Sequence, residues 1–216
     1  MPYRAKHAPA RKSVRMSESE KLDHLGRKLG ARFEEALVFA VRKHSGQTRK
    51  QSQIPYLAHL LSVTALVLEA GGDEDQAIAA VLHDVVEDCG GAPVLAEVKE
   101  RFGARVANIV EGCSDTDAVP KPPWRARKEH YLRHLQEAGE DVRLVSAADK
   151  LHNVRSIVAD YRYVGEAVWE RFAGRREGTL WYYRAVLDIL QQRPGNRLVD
   201  ELERFVSELE RIATRP

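Results

Sequence analysis

Apolar residues recur at helical spacing along most of the chain from residue 31 onward, and no stretch alternates with the two-residue period of a strand. This spacing predicts helices at about 31–44, 56–69, 73–89, 93–101, 104–113, 124–138, 140–160, 164–173, 177–192 and 196–213. Glycines and prolines separate these segments, most clearly in the loop 114–123, which holds three prolines. We therefore expect an all-α fold, a single compact domain of about ten helices.

Two of these helices show where the core should lie. The first predicted helix turns Phe33, Leu37, Ala40, Val41 and His44 toward one side. The second, over 56–69, is apolar almost all round, which is typical of a buried helix.

The stretch VLHDVVEDC, residues 81–89, carries an unusual density of polar groups. At about 100° per residue, His83, Asp84, Glu87 and Asp88 fall in one sector about 140° wide. The complementary sector is apolar and comprises Ile78, Val81, Leu82, Val85, Val86 and Cys89. The three carboxylates of the polar sector repel one another, and a bound cation would relieve that cost. A solvated acidic face is the alternative.

Two more polar residues stand where core is expected. His59 lies in the apolar second helix, and Asp149 lies in the segment VRLVSAADKLHNVRSIV. A buried carboxylate without a partner is too costly to keep, so Asp149 needs a cation or several donors. For His59 the alternative is a core histidine hydrogen-bonded to a carbonyl, and for Asp149 it is a salt bridge to an arginine. With His83 and Asp84 these residues make a mixed nitrogen and oxygen set, which suits Mn²⁺, Fe²⁺ or Zn²⁺ better than Ca²⁺.

Composition and charge exclude several classes of protein. The chain has 216 residues, of which 44% are hydrophobic, but no apolar run of 18 or more and no secretory signal, so we expect no membrane span. Its two cysteines indicate free thiols in a reducing cytoplasm. The formal net charge is +2, and residues 1–30 alone carry eight Lys/Arg against three Asp/Glu, which leaves +2 − 5 = −3 for the rest.

Charge sets apart a basic, mobile N-terminal extension at 1–30. The helical pattern of the rest predicts a domain, which we place at 31–192, and a C-terminal helix at 193–216 that packs on it. The extension could attract nucleic acid through its phosphates, but it lacks interleaved aromatic residues and the domain itself is acidic. We therefore expect a small-molecule partner rather than nucleic acid. The oligomeric state is left open.

Four short sequence motifs, in this order along the chain, resemble those of a known family. These are TRK…PYLAH, AAVLHDVVEDC, FGARVANIVEGCSD and SAADKLHNVRSI. Over about residues 31–192 the chain resembles the HD superfamily of metal-dependent phosphohydrolases. More narrowly, it resembles the hydrolase domain of the RelA/SpoT alarmone enzymes and their stand-alone small relatives.

The resemblance implies a metal site and a reaction. His59, His83, Asp84 and Asp149 match the family's metal ligands, and the family's metal is usually Mn²⁺. The implied substrate is a nucleotide of the (p)ppGpp type, whose 3′-pyrophosphate is removed to leave GDP or GTP, or the adenosine counterparts.

The resemblance also implies roles around the metal. Glu87 and Asp88 match the acidic pair that positions or deprotonates the attacking water; Glu87 stands one helical turn beyond His83 and Asp84. Arg49 and Lys50 match the basic pair that faces the substrate's phosphates, and they would supply locally the positive charge that the acidic domain lacks. A solvated loop is the alternative for that pair.

The last motif, SAADKLHNVRSI, implies two further substrate contacts. Asn153 matches a nucleotide-contacting asparagine, and Lys150 stands where the family has Lys or Arg. The basic run PKPPWRARKEHY departs from the long bifunctional enzymes and leaves the base preference open.

Three other functions compete with this reading. One is another HD nucleotide phosphohydrolase, such as one acting on deoxynucleoside monophosphates. A second is a non-catalytic HD module that senses a nucleotide, against which the intact Glu87 and Asp88 argue, because a sensor has no need of a water-activating pair. The third is a nucleic-acid-binding protein led by the basic extension.

Overall fold

The structure is a computed structural model, and it describes residues 29–50, 52–116, 120–193 and 195–214. The predicted N-terminal extension therefore lies outside the described residues except for Leu29 and Gly30, which are exposed.

The described part of the chain is built from ten α-helices and one 3₁₀ helix. In chain order these are α1 (Ala31–Lys43), α2 (Leu57–Glu69), α3 (Glu74–Leu82), α4 (Val85–Cys89), α5 (Ala92–Phe102), α6 (Ala104–Cys113), α7 (Trp124–Glu137), α8 (Glu140–Val164), the 3₁₀ helix (Gly165–Arg171), α9 (Arg175–Leu190) and α10 (Arg197–Ala213). Within those ranges the only β-type pairing is an isolated bridge between Thr48 and Pro55. The all-α prediction is confirmed.

Helix α3 is the centre of the core. Its last five residues, 78–82, are fully buried, and the helix packs against α1, α2, α6 and α8. Asp73 caps its N-terminus as predicted, because the Asp73 carboxylate accepts from the backbone N–H of Gln76 at 3.0 Å. The capped end fixes where α3 starts, and its buried length carries the chain to His83 in the interior.

Several predicted details are wrong. The predicted 140–160 helix continues to Val164, where Gly165 ends it with a φ of 58°. The predicted 164–173 helix is instead the short 3₁₀ helix. Val41 is 46% exposed and Leu61 is 44% exposed, so α1 and α2 are less buried than their apolar patterns indicate.

The C-terminal helix α10 packs on α8 and α9. The hydroxyl of Tyr161 on α8 donates to the Ile212 carbonyl at 3.2 Å, and Arg184 on α9 pairs with Glu210. None of the described helices is long and apolar enough to cross a membrane.

Candidate active site

The predicted continuous helix through VLHDVVEDC is wrong, since the helix breaks at the two residues expected to bind metal. α3 ends at Leu82 and α4 begins at Val85. A continuous helix would use the Ala80 carbonyl for the backbone N–H of Asp84. That carbonyl instead accepts from His83 Nδ1 at 2.8 Å. The break turns His83 into the core, where its side chain is 1% exposed.

The four predicted ligands converge from three segments of the chain. His59 Nε2 lies 3.2 Å from His83 Nε2, 3.5 Å from Asp84 Oδ2 and 3.3 Å from Asp149 Oδ1. His83 Nε2 lies 3.0 Å from Asp84 Oδ2 and 3.7 Å from Asp149 Oδ1. We call these four residues the HHDD cluster.

The spacing within the HHDD cluster fits a single cation. For metal–ligand bonds of about 2.1 Å, ligand atoms are separated by roughly 3.0 Å at right angles and 3.4 Å in a tetrahedron. The ligand atoms of His59, His83 and Asp149 all lie within 4.8 Å of one another. Imidazole nitrogens with carboxylate oxygens form a set that suits Mn²⁺, Fe²⁺ or Zn²⁺. The cluster is therefore a His/Asp site able to hold a divalent metal.

Both imidazoles are oriented through their second nitrogen. His83 Nδ1 is committed to the Ala80 carbonyl, as described above. His59 Nδ1 lies 2.8 Å from His152 Nδ1. Burial lowers the pKa of His152 to about 4, so that ring is neutral and able to accept. Each cluster histidine can thus keep its proton on Nδ1 and turn a free Nε2 lone pair inward.

The carboxylates are held by neighbours as well. The Tyr56 hydroxyl donates to Asp84 Oδ2 at 2.5 Å. Lys150 pairs with Asp149 Oδ2, and the Asn153 amide donates to Asp149 Oδ1 at 2.5 Å. Asp149 therefore has the partners that a buried carboxylate needs, and the expectation that it would be paired is met by Lys150 rather than by an arginine.

Without a cation, both carboxyls of the HHDD cluster stay ionised and His83 is held protonated. Burial lowers the pKa of His83, but Asp84 and Asp149 outweigh it and raise that pKa to about 10. Burial disfavours ionisation of both carboxyls, yet His83 beside Asp84 and Lys150 beside Asp149 hold the pKa of each well below its usual range. The site thus keeps its carboxylates charged, and His83 and Lys150 balance that charge.

Glu87 and Asp88 stand beside the cluster on α4. Asp88 Oδ2 accepts from the Gln47 amide at 2.8 Å, and Glu87 Oε1 lies 3.1 Å from Lys121 Nζ. Burial, reinforced by Asp115, raises the pKa of Glu87 against the opposing lysines. A carboxylate with a raised pKa is better suited to accept a proton near neutral pH.

Asp115 organises part of the basic run that sequence reasoning left unassigned. Its carboxylate is buried, and it accepts from Arg127 Nη1 at 2.6 Å and from Lys128 Nζ at 2.7 Å. Arg127 Nη1 also lies 3.7 Å from Glu87 Oε1. This ion-pair group therefore connects the basic run to Glu87.

The predicted phosphate-binding loop is connected to the cluster by hydrogen bonds. Arg49 Nη2 donates to Asn153 Oδ1 at 2.9 Å, and Asn153 in turn donates to Asp149. The backbone N–H of Arg49 donates to the Ile54 carbonyl at 2.9 Å, which closes the loop. Lys50 is exposed at the loop's edge.

One cavity of about 730 Å³ brings the predicted residues together. Its wall includes nine of the ten predicted site residues: Arg49, Lys50, His59, Asp84, Glu87, Asp88, Asp149, Lys150 and Asn153. His83 lies behind that wall, with its Nε2 toward the other cluster atoms. The same wall includes Trp124, Lys128 and Tyr182, which belong to α7 and α9.

Sequence reasoning missed two supporting residues, Tyr56 and Asp115. Tyr56 precedes His59 by three residues, so helical spacing could have placed it near the cluster. The sequence indicates that His152, three residues after Asp149, is a packing or supporting residue rather than a ligand, but its particular bond to His59 carries no sequence signal. Asp115 lies in a polar loop, where nothing distinguishes it from a solvated residue.

Comparison with known proteins identifies relatives. The family model of the HD domain matches residues 36–180. The Xenopus tropicalis guanosine-3′,5′-bis(diphosphate) 3′-pyrophosphohydrolase MESH1 is 38% identical over 126 residues, 57% of this chain and 68% of that protein. The bifunctional (p)ppGpp synthase/hydrolase SpoT of Escherichia coli K12 is 32% identical over 129 residues, 58% of this chain but only 18% of that longer protein.

A solved structure supports the same relationship. The structure, described as a metazoan ortholog of SpoT that hydrolyzes ppGpp, superposes with a TM-score of 0.68 at 28% identity and covers 83% of this chain and 96% of that one. The resemblance inferred from the sequence motifs is confirmed. The chain belongs to the HD domain family and, within it, to the family of the MESH1 pyrophosphohydrolases.

Proposed function

We propose that this protein is a metal-dependent hydrolase that removes the 3′-pyrophosphate of (p)ppGpp-type alarmones. Products are pyrophosphate and GDP or GTP, or the adenosine counterparts. The observation that carries the proposal is the HHDD cluster at the wall of a cavity that also holds Glu87 and Arg49. A metal site, a proton acceptor and a phosphate-binding cation are the three parts that this reaction needs.

The donor set determines which cation we assign. His59, His83, Asp84 and Asp149 would hold Mn²⁺, which the mixed nitrogen and oxygen ligands suit. When bound, the cation would neutralise charge on the reacting phosphate and lower the pKa of the attacking water. Tyr56 contributes by fixing Asp84, so that one of its oxygens stays directed at the histidines.

Glu87 acts as the general base. It takes a proton from the water that attacks the α-phosphorus of the 3′-pyrophosphate. The bond between that phosphorus and the ribose O3′ breaks, pyrophosphate leaves, and O3′ takes up a proton. A positioned base of this kind contributes about 10²–10⁴-fold to rate. Asp88, held by Gln47, orients the same water.

The cations of the cavity hold the reacting pyrophosphate. Arg49 presents a planar guanidinium suited to two phosphate oxygens, and Lys50 adds a mobile charge at the loop edge. Asn153 links Arg49 to Asp149, so substrate and metal are positioned by one hydrogen-bonded chain. Lys150 pairs with Asp149 at the wall of the cavity and adds positive charge there.

We also propose a cellular compartment and a division of the chain into domains. We assign the reaction to the cytoplasm, because Cys89 and Cys113 are free thiols. We retain the division into an extension at 1–30, a hydrolase domain at 31–192 and a C-terminal helix at 193–216.

Two arguments weigh against the alternatives. A nucleotide sensor would bind without needing Glu87 in a raised-pKa setting beside the metal cluster. A nucleotidase for ordinary monophosphates would have little use for a cavity with cations well beyond the metal site, such as Arg171.

The test is a panel of nucleotides incubated with the protein, with and without Mn²⁺, and resolved by product chromatography. The panel holds 3′-pyrophosphorylated guanosine and adenosine nucleotides, their 5′-only counterparts and deoxynucleoside monophosphates. We expect metal-dependent release of pyrophosphate from the 3′-pyrophosphorylated compounds alone. Release of phosphate from the monophosphates instead would establish the nucleotidase, and tight binding without turnover under any divalent metal would establish the sensor.

A further inference from the structure

The cavity extends away from the HHDD cluster along one face of α8. Asp149, Asn153, Ser156, Ile157 and Asp160 all line it. They follow the spacing i, i+4, i+7, i+8 and i+11, which is a single helical stripe. Eleven residues at about 1.5 Å each place Asp160 roughly 16 Å from Asp149 along the helix axis. The cavity is therefore a groove three turns long, with the metal cluster at one end.

A cation lies at the far end of this groove. Arg171, the last residue of the 3₁₀ helix, lines the groove together with Phe172. Arg171 Nη1 lies 2.7 Å from Asp160 Oδ2, and the two side chains are 21% and 51% exposed. An ion pair this accessible is weak, about 0–1 kcal/mol, so an anionic ligand can compete for the guanidinium.

The Arg171 guanidinium has N–H donors that the ion pair with Asp160 does not use. An arginine presents five N–H donors in a rigid fork. Within the described ranges, the Arg171 contacts engage Nη1 with Asp160. The remaining edge can meet phosphate oxygens in the bidentate manner that arginine favours. The ion pair with Asp160 meanwhile holds the side chain over the groove.

The proposed substrate has a second anionic arm that this end of the groove fits. With the 3′-pyrophosphate at the HHDD cluster, the 5′-diphosphate projects several bonds away. Near the cluster, Arg49 and Lys50 are assigned to the reacting pyrophosphate, while Lys150 is paired with Asp149 and Lys128 with Asp115. We propose that Arg171 forms a distal subsite for the 5′-diphosphate of the nucleotide. This inference rests on the proposed function, because it takes the 3′ end as the one that reacts.

Asp160 would then limit the charge that the subsite accepts. Its carboxylate stands beside the guanidinium and repels phosphate oxygens that approach too closely. Removing its charge while keeping its size should strengthen binding of the 5′-diphosphate. Removing the charge of Arg171 should weaken it. The two substitutions therefore have effects of opposite sign on the same part of the ligand.

The experiment compares two substrates that differ only at the 5′ position. One is guanosine 3′,5′-bispyrophosphate, and the other is guanosine 3′-pyrophosphate with a free 5′-hydroxyl. Wild type, Arg171→Gln and Asp160→Asn are measured on both. We expect Arg171→Gln to raise KM for the first substrate by about 10-fold, the scale of one charge-assisted contact, with kcat and the second substrate little changed. Asp160→Asn should lower KM for the first substrate alone.

Arg162→Gln is the matched control. Arg162 is also paired with a carboxylate, Glu208 at 2.6 Å, but it lies outside the groove. It should leave both substrates unaffected. Equal changes on both substrates in Arg171→Gln, or no change on either, would overturn the subsite.

A calorimetric version separates this inference from the proposed function. The affinities of the two compounds are measured on proteins that also carry Glu87→Gln, in which turnover is slow. A wild type that releases no pyrophosphate contradicts the proposed activity. The ratio of the two affinities, with and without Arg171→Gln, still decides whether the distal subsite exists.

Discussion

The hydrogen bond between His152 and His59 is predicted to control metal affinity. The change is His152→Leu, which removes the acceptor 2.8 Å from His59 Nδ1 and keeps an apolar side chain of moderate size. His59 must carry its proton on Nδ1 if Nε2 is to bind a cation. In the variant, that proton either remains on a buried nitrogen without a partner or moves to Nε2 and blocks the metal.

The magnitude follows from the burial of His59, whose side chain is 1% exposed. An unpaired buried donor costs about 1–3 kcal/mol. Converted at 1.4 kcal/mol per factor of ten, this is roughly 5- to 150-fold in metal affinity. The same range, about 10–100-fold, is typical when a group that orients a metal ligand is removed.

The assay is competition for Mn²⁺ against a chelator of known affinity, run on wild type, His152→Leu and His152→Gln. The glutamine can still accept through its side-chain oxygen, so it should recover part of the loss. His134→Gln, a change at an exposed histidine on α7, is the control and should bind as wild type does. Wild-type affinity in His152→Leu would refute the reasoning, because it would mean that His59 needs no partner at Nδ1.

Three further predictions concern the cluster and its substrate loop. Asp149→Ala should abolish metal binding and destabilise the fold by roughly 3–5 kcal/mol, because it strands the buried Lys150 charge; Asp149→Ala combined with Lys150→Met should regain stability in denaturant but no metal. In metal-free protein the folded pKa of His83 is raised to about 10 from 6.5, so the stability it contributes is present below pH 6.5 and lost as pH rises toward 10. Urea unfolding should show the free energy of unfolding falling by a few kcal/mol over this range, and saturating Mn²⁺ should suppress the fall. A free energy of unfolding that does not change with pH would contradict the raised pKa of His83. Arg49→Ala should raise KM or lower kcat with metal content unchanged, and unchanged kinetics in an Arg49→Ala, Lys50→Ala double variant would remove that loop from the site.

Helical periodicity was sufficient to predict the architecture. Apolar spacing placed most helices within a few residues of their observed ends, because each buries one stripe on its neighbours. It could not predict the break at His83, since that break depends on a side chain competing for the Ala80 carbonyl. Nor could it tell that Val41 faces solvent, because the pattern does not show how wide a stripe the neighbouring helices cover.

The residues of the candidate site that could be predicted are those that lie within short sequence motifs. His59 and Asp149 stood out as polar residues in apolar settings, and His83 and Asp84 as part of a polar helix face. The structure places both histidine Nε2 atoms within 3.7 Å of both carboxylates. Residues that act through distant contacts carried no such signal. Asp115 is connected to Glu87 through Arg127, which lies on α7.

The same holds at the far end of the groove. Arg171 lies at the groove because the 3₁₀ helix packs on α8, where it pairs with Asp160. Contacts between separate elements of this kind depend on packing that one sequence does not reveal.

Pyrophosphate release in ¹⁸O-labelled water tests the central claim most directly. Protein stripped with a chelator is incubated with guanosine 3′,5′-bispyrophosphate before and after Mn²⁺ is restored, and the products are weighed by mass spectrometry. The account predicts no release without the metal and, with it, one ¹⁸O in the pyrophosphate and none in the GDP, since water attacks phosphorus. Release that is independent of metal, or label found in the nucleotide, would contradict it.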